Sequence, residues 1–243
     1  MKLNNLFILV LINLSSYSIA QLKPLNVTFY YPKDSTTFNH DFLNELDYQY
    51  EREKFGKTTM IIHCESEVGH FEFIFKKKIL SLEHFGGDST NVYGINGKIT
   101  KEYNEPFTIS KHNLYAFVLL HDHGGIIEKI KFQDFGNEVY WPEFDYSNCF
   151  ISDENKDGIP EFYLTYLGES DGLDPKPYKQ IIYTYFKNSL KKEFIKSKAT
   201  AFYPAGNPEN TYQIEYDSNW KKFPKSIQNK SILVLKKHRE KYN

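Results

Sequence analysis

The chain has 243 residues, with 30 Lys plus Arg against 31 Asp plus Glu and a formal net charge of −1. That balance excludes a generally basic protein that coats nucleic acid, and equally an acidic tail protein. Aromatic residues make up 17% of the chain (19 Tyr, 20 Phe, 2 Trp), which argues against disorder and leans toward strands, where aromatic side chains pack well.

Residues 1–20 read as a secretory signal peptide. Lys2 supplies the positive start, residues 6–14 (LFILVLINL) a short apolar run, and Ser18-Ile19-Ala20 the small residues before a cut at Gln21. The apolar run is about half of the roughly 20 residues needed to span a bilayer. No Cys sits beside the cut to carry a lipid, and no later stretch is long and apolar enough to span. The expected product is therefore residues 21–243, exported to the periplasm, the cell surface or the medium, with no transmembrane anchor left after cleavage.

Along that product the pattern is mostly strand-like. Residues 28–31 suggest a short strand ended by Pro32. Phe42, Leu43, Leu46 and Tyr50 share one helical face and predict a short N-terminal helix over 38–50. Strands are expected at 58–64 and at 70–75, where Phe71, Phe73 and Phe75 alternate onto one face. Lys76-Lys77-Lys78 reads as a solvated strand end and Gly86-Gly87-Asp88 as a turn. Asn96-Gly97 signals a two-residue hairpin. Further strands are expected at 107–109, 114–120, 126–132, 149–151, 162–167 and 180–186, with another around Phe194. Ser226 is a candidate cap for a C-terminal helix buried through Ile227, Ser231, Val234, Leu235 and His238. Lys236, Lys237, His238 and Arg239 would match the dipole of its last turn. The fold class is β-dominated α+β: antiparallel sheets, a short N-terminal helix and a C-terminal helix, in one exported domain over 21–243. A subdomain junction near 140–148 stays open, as does a disulfide between Cys64 and Cys149 in an oxidising compartment.

One segment carries chemistry. Residues 153–161 read D-x-N-x-D-G-x-x-E, with oxygen side chains at every second position and then a Gly for the tight turn. Such a loop can wrap one hard cation through Asp153, Asn155 and Asp157 side-chain oxygens, the Ile159 backbone carbonyl, and Glu161 directly or through water. Oxygen donors of this kind suit Ca²⁺ rather than Zn²⁺. A full EF-hand fails, because Leu164 stands where the bidentate Glu belongs and the next residues are β-like. The loop resembles the calcium loops of FG-GAP/VCBS-type repeats, although it occurs once. A second acidic loop, Glu169-Ser170-Asp171-Gly172-Leu173-Asp174-Pro175, would lie at the far end of the following strand, roughly 20 Å away at about 3.3 Å per residue. It reads as a separate turn.

The order of these segments, from Cys149-Phe150-Ile151-Ser152 through the acidic loop, Phe162 to Tyr166, and Ser170-Asp171-Gly172-Leu173-Asp174-Pro175 to Lys179-Gln180-Ile181-Ile182-Tyr183, resembles a family of exported bacterial proteins. Its label is association with surface-polysaccharide biosynthesis. The resemblance implies a surface glycan as partner and brings no catalytic residues with it.

Other constellations are weaker. His121-Asp122-His123 has two imidazoles on one side but no visible third metal ligand. His63 and Cys64 would point to opposite strand faces, so they do not form a nucleophile pair. Phosphate-cradling glycine motifs and G-x-S-x-G are absent from the sequence. Trp141, Trp220 and the tyrosines are candidates for a sugar platform. The expectation is a non-enzymatic exported protein with a structural calcium loop that acts in surface-polysaccharide assembly or binding. The competing readings are an enzyme on cell-surface glycan, using carboxylates such as Asp171 and Asp174, and an interaction protein with no sugar ligand.

Overall fold

The structure, a computed structural model, describes residues 24–30, 53–93, 98–170, 175–186, 193–203 and 212–240. Its strands in chain order are β1 (Asn26–Tyr30), β2 (Lys57–Ser66), β3 (Gly69–Phe85), β4 (Ser89–Tyr93), β5 (Ile99–Tyr103), β6 (Phe107–Asp122), β7 (Gly125–Phe135), β8 (Tyr140–Phe144), β9 (Phe150–Ser152), β10 (Glu161–Ser170), β11 (Lys176–Thr184), β12 (Ile195–Tyr203) and β13 (Gln213–Tyr216). Helix α1 (Lys225–Glu240) follows. The helix expected over 38–50 lies outside the described residues; 53–55 are helical.

Two antiparallel sheets face each other. One has the order β1-β2-β3-β6-β7. The other has β13-β12-β11-β10-β8, with β9 also pairing β10, and β4 and β5 form a separate hairpin ladder. Alternation along the strands builds the core between the sheets. Met60, Ile62, Phe71, Phe73, Phe75, Leu114, Ala116 and Val118 come from one side, and Phe144, Ile151, Phe162, Leu164, Ile181 and Tyr183 from the other. The rings interlock edge to face: Phe73–Phe162 at 5.7 Å and 90°, Phe75–Phe144 at 5.1 Å and 89°. Each such pair is worth about 0.5–1.5 kcal/mol beyond burial of its area.

The alternate residues of the second sheet, Tyr163, Tyr178, Ile182, Ala199 and Ala201, receive α1. Ile227, Ser231, Val234, Leu235 and His238 are buried on that helix, as its sequence periodicity predicts. The helix starts at Lys225, directly after Pro224, so Ser226 lies inside it rather than capping it. His238 stacks on Tyr178 with ring centroids 3.5 Å apart. The other face of the first sheet carries Ile61, Ile74, Tyr115, Phe117 and Leu119, packed with Phe55.

Two differences from the sequence expectations matter for function. The lysine run does not end β3. Lys76 is buried and donates to Thr58 Oγ1 at 3.1 Å, Lys77 reaches Glu143 at 2.5 Å, and Lys78 donates to the carbonyls of Glu53 and Lys54. With every ammonium partnered, the strand continues to Phe85. Similarly, 107–109 and 114–120 are one strand, β6, paired with β3 along its length. The outer half of β3, Ile79 to Phe85, therefore runs on past the buried core exposed on both faces, and the start of β6 runs beside it, exposed at Phe107 and Thr108 and half-buried from Ile109 to Lys111.

The chain passes from one sheet to the other over residues 136–139, between β7 and β8, so the possible junction near 140–148 falls at the start of the second sheet. Gly136 makes the crossing tight: its N–H donates to His112 O at 3.0 Å, and a Cβ there would meet that same oxygen at 2.3 Å. Both sheets share one core. Cys64 and Cys149 are buried free thiols in it. The Cys149 sulfur is held by the Thr165 backbone, donating to its carbonyl at 3.3 Å and accepting its N–H at 3.2 Å.

Candidate functional site

The loop 153–161 joins β9 to β10, two strands that pair with each other, so both its ends are anchored in the sheet. Its path needs two residues at positive φ, Lys156 (57°) and Gly158 (80°). The acidic side chains curl inward onto the loop's own backbone. Asp153 accepts the N–H groups of Asp157 and Gly158 at 3.0 and 2.9 Å. Asp157 Oδ1 accepts that of Ile159 at 2.9 Å, and Asn155 bridges to Asp157 Oδ2 at 2.9 Å. Glu161 closes the ring from the first position of β10, its Oε2 accepting the Glu154 N–H at 2.8 Å.

Glu161 is fully buried, and its second oxygen, Oε1, has no hydrogen-bond partner. An unpaired buried carboxylate oxygen is expensive. Burial, followed by the charges of Asp153, Asp157 and Glu154, pushes the carboxyl up from an ordinary 4.5 to about 8. The expected side-chain donors Asp153, Asn155, Asp157 and Glu161 are thus gathered on one loop. Ile159 places its side chain in the interior. Among the described residues, no group of three or more His, Cys, Asp or Glu side chains is placed so that it could hold a metal ion as it stands. The loop is tied to α1 by an ion pair from Lys230 to Glu154 at 2.9 Å.

A second feature is a cleft of about 150 Å³ where β3 and β6 leave the core. Glu83 and Phe85 on β3, Lys111 on β6, and Asn137, Glu138 and Trp141 at the sheet crossing line it. Strand pairing sets the spacing, with Glu83 opposite Ile109 and Ser81 opposite Lys111. Lys111 bonds Glu138 and holds its carboxyl below the usual carboxylate range. The half-buried Trp141 has an indole N–H without an acceptor.

The remaining candidates separate. Trp220 is buried beneath α1 and beside Tyr216, so it offers no platform. Asp171 and Asp174 lie outside the described residues. His63 and Cys64 do fall on opposite faces, with Cys64 in the inter-sheet core. His123 occupies the β6–β7 turn at φ 47°, followed by Gly124 at 83°, the paired positive values of a type I′ hairpin. Its exposed side chain bonds only Asp122, so it does not join His121 in a shared site. The cleft was missed because the lysine run hid the outer half of β3; the alternation Ser81, Glu83, Phe85 was the available signal. No family model, curated protein or solved structure matches the chain. No helix among the described residues is long and apolar enough to cross a membrane.

Proposed function

We propose that the protein is an exported, calcium-braced β-sandwich that binds a saccharide of the cell surface. The observation carrying the calcium part is Glu161: a fully buried carboxylate with one oxygen unpartnered, on a loop where Asp153, Asn155 and Asp157 present further oxygens. A Ca²⁺ ion would supply the missing partner, since it takes six to eight oxygen ligands at about 2.3–2.6 Å. The ion's role is structural. It neutralises the carboxylates, fixes the β9–β10 connection, and through Glu154 and Lys230 steadies the docking of α1.

The saccharide part is supported by the cleft, where an aromatic face stands beside amide, carboxylate and ammonium groups. That combination packs on the apolar side of a sugar ring and hydrogen-bonds its hydroxyls. The segment order over 141–186 and its resemblance to the surface-polysaccharide family point the same way. The test is binding of purified surface polysaccharide fragments by wild type and Trp141→Ala. Binding weakened at least about tenfold by the substitution, equivalent to about 1.4 kcal/mol, supports the reading. Unchanged binding, or none across a broad glycan panel, overturns it. Shortening of the fragments that is lost in Glu83→Gln or Glu138→Gln would instead identify an enzyme.

A further inference from the structure

The outer face of the first sheet ends in a cluster that neither the calcium loop nor the cleft involves. His63 on β2, His70 and Glu72 on β3, and His121 on β6 occupy three adjacent strands. His70 pairs with His121 across one ladder, and Glu72 pairs with His63 across the other. Cross-strand partners on one face are about 4.5–5.5 Å apart and diagonal neighbours about 7–8 Å, within reach of imidazole side chains. All four therefore converge.

The side-chain geometry agrees. The Nε2 atoms of His63 and His70 face each other in direct hydrogen-bonding contact, their rings stacked with centroids 4.2 Å apart. The His70 and His121 rings are 5.3 Å apart. His121 Nε2 stands 2.9 Å from Oε1 of Glu72, a carboxylate that is fully buried. The three imidazoles are half-buried, and Glu65 flanks them opposite His70.

We infer that His63, His70 and His121, with Glu72, form a binding site for one Zn²⁺-class transition-metal ion. Three imidazole nitrogens and one carboxylate oxygen are a donor set for tetrahedral Zn²⁺, at about 2.0–2.1 Å for nitrogen and 2.0–2.2 Å for oxygen. The chemistry differs from that of the all-oxygen loop, so the two sites select different ions. The donors do not yet enclose a common point. The proposed site requires these side chains to turn toward one another, at positions that the strand pairing already makes neighbours. The bound ion would crosslink β2, β3 and β6. The third ligand that His121 lacks in the local sequence comes from residues some fifty positions earlier, at His70 and His63.

The test is titration of metal-free, untagged protein with Co²⁺, read by visible absorption. The site predicts saturation at one equivalent with a tetrahedral spectrum, discharge by Zn²⁺, and no displacement by Ca²⁺. His70→Ala and the milder His121→Gln should each abolish the spectrum, while Asp157→Ala should keep it; circular dichroism confirms that the variants are folded. The inference is overturned if folded wild type shows no saturable Co²⁺ spectrum, or if the spectrum survives in a folded His121→Gln or His70→Ala variant.

Discussion

Glu161 is the costly residue of the 153–161 loop, because one of its buried oxygens has no hydrogen-bond partner. Its proton affinity is raised from 4.5 in the unfolded chain to about 8 in the folded one. Between those values the folded state holds a proton that the unfolded chain has released. Without Ca²⁺, this group's contribution to stability is therefore greatest below about pH 4.5 and falls as pH climbs to about 8, with a slope of up to about 1.4 kcal/mol per pH unit. Glu161→Gln keeps an acceptor for the Glu154 N–H and removes the titration. Denaturant unfolding in chelator from pH 5 to 8 should show stability declining with pH in wild type and a flatter profile in the variant; parallel profiles would contradict the assignment. The same proton competes with the ion, so Ca²⁺ affinity should rise with pH over this range. The oxygen spacing of 153–161 was readable directly, because a loop ligand set is local in sequence. The orphaned Oε1 was not, because it depends on what the sandwich packs over Glu161.

Among the elements, β10 does the most work: it carries Glu161 at its start, pairs with β8, β9 and β11, and presents opposite faces to both cores. Phe162 is fully buried between the sheets, with Phe71, Phe73 and Phe194 against its ring. Phe162→Ala should cost about 3–5 kcal/mol in denaturant unfolding. The partly exposed Lys230–Glu154 pair is a weaker tie, and Lys230→Ala should cost less than about 1 kcal/mol. A loss of several kcal/mol there would mean that the loop and helix are coupled far beyond one ion pair. Most elements were legible. The Phe71, Phe73, Phe75 alternation and the 227, 231, 234, 235, 238 stripe marked the faces that are buried. The length of β3 was not, because the partners that neutralise Lys76, Lys77 and Lys78 come from Thr58, Glu143 and the backbone of residues 53 and 54. No local pattern reports such long-range partners.

At the scale of the molecule, two sheets share one core, α1 covers one outer face, and the three candidate sites lie apart. The acidic loop 153–161 sits at the β9–β10 connection, the cleft where β3 and β6 leave the core, and the histidine cluster at the other end of those strands. The class of fold followed from composition and strand periodicity. The cleft and the histidine cluster did not, since each assembles residues that only sheet register brings together. Because the loop is fixed at both ends in the second sheet, an ion bound there should stabilise the whole sandwich. The most direct test is thermal unfolding of metal-free protein with and without Ca²⁺. An ion that binds only the folded state adds about 2.7 kcal/mol at a hundredfold excess over its Kd. The account predicts a clear rise in Tm with Ca²⁺ that disappears in Asp157→Ala. Equal Tm values in folded wild type with and without Ca²⁺ would contradict it, and would leave 153–161 as an acidic turn.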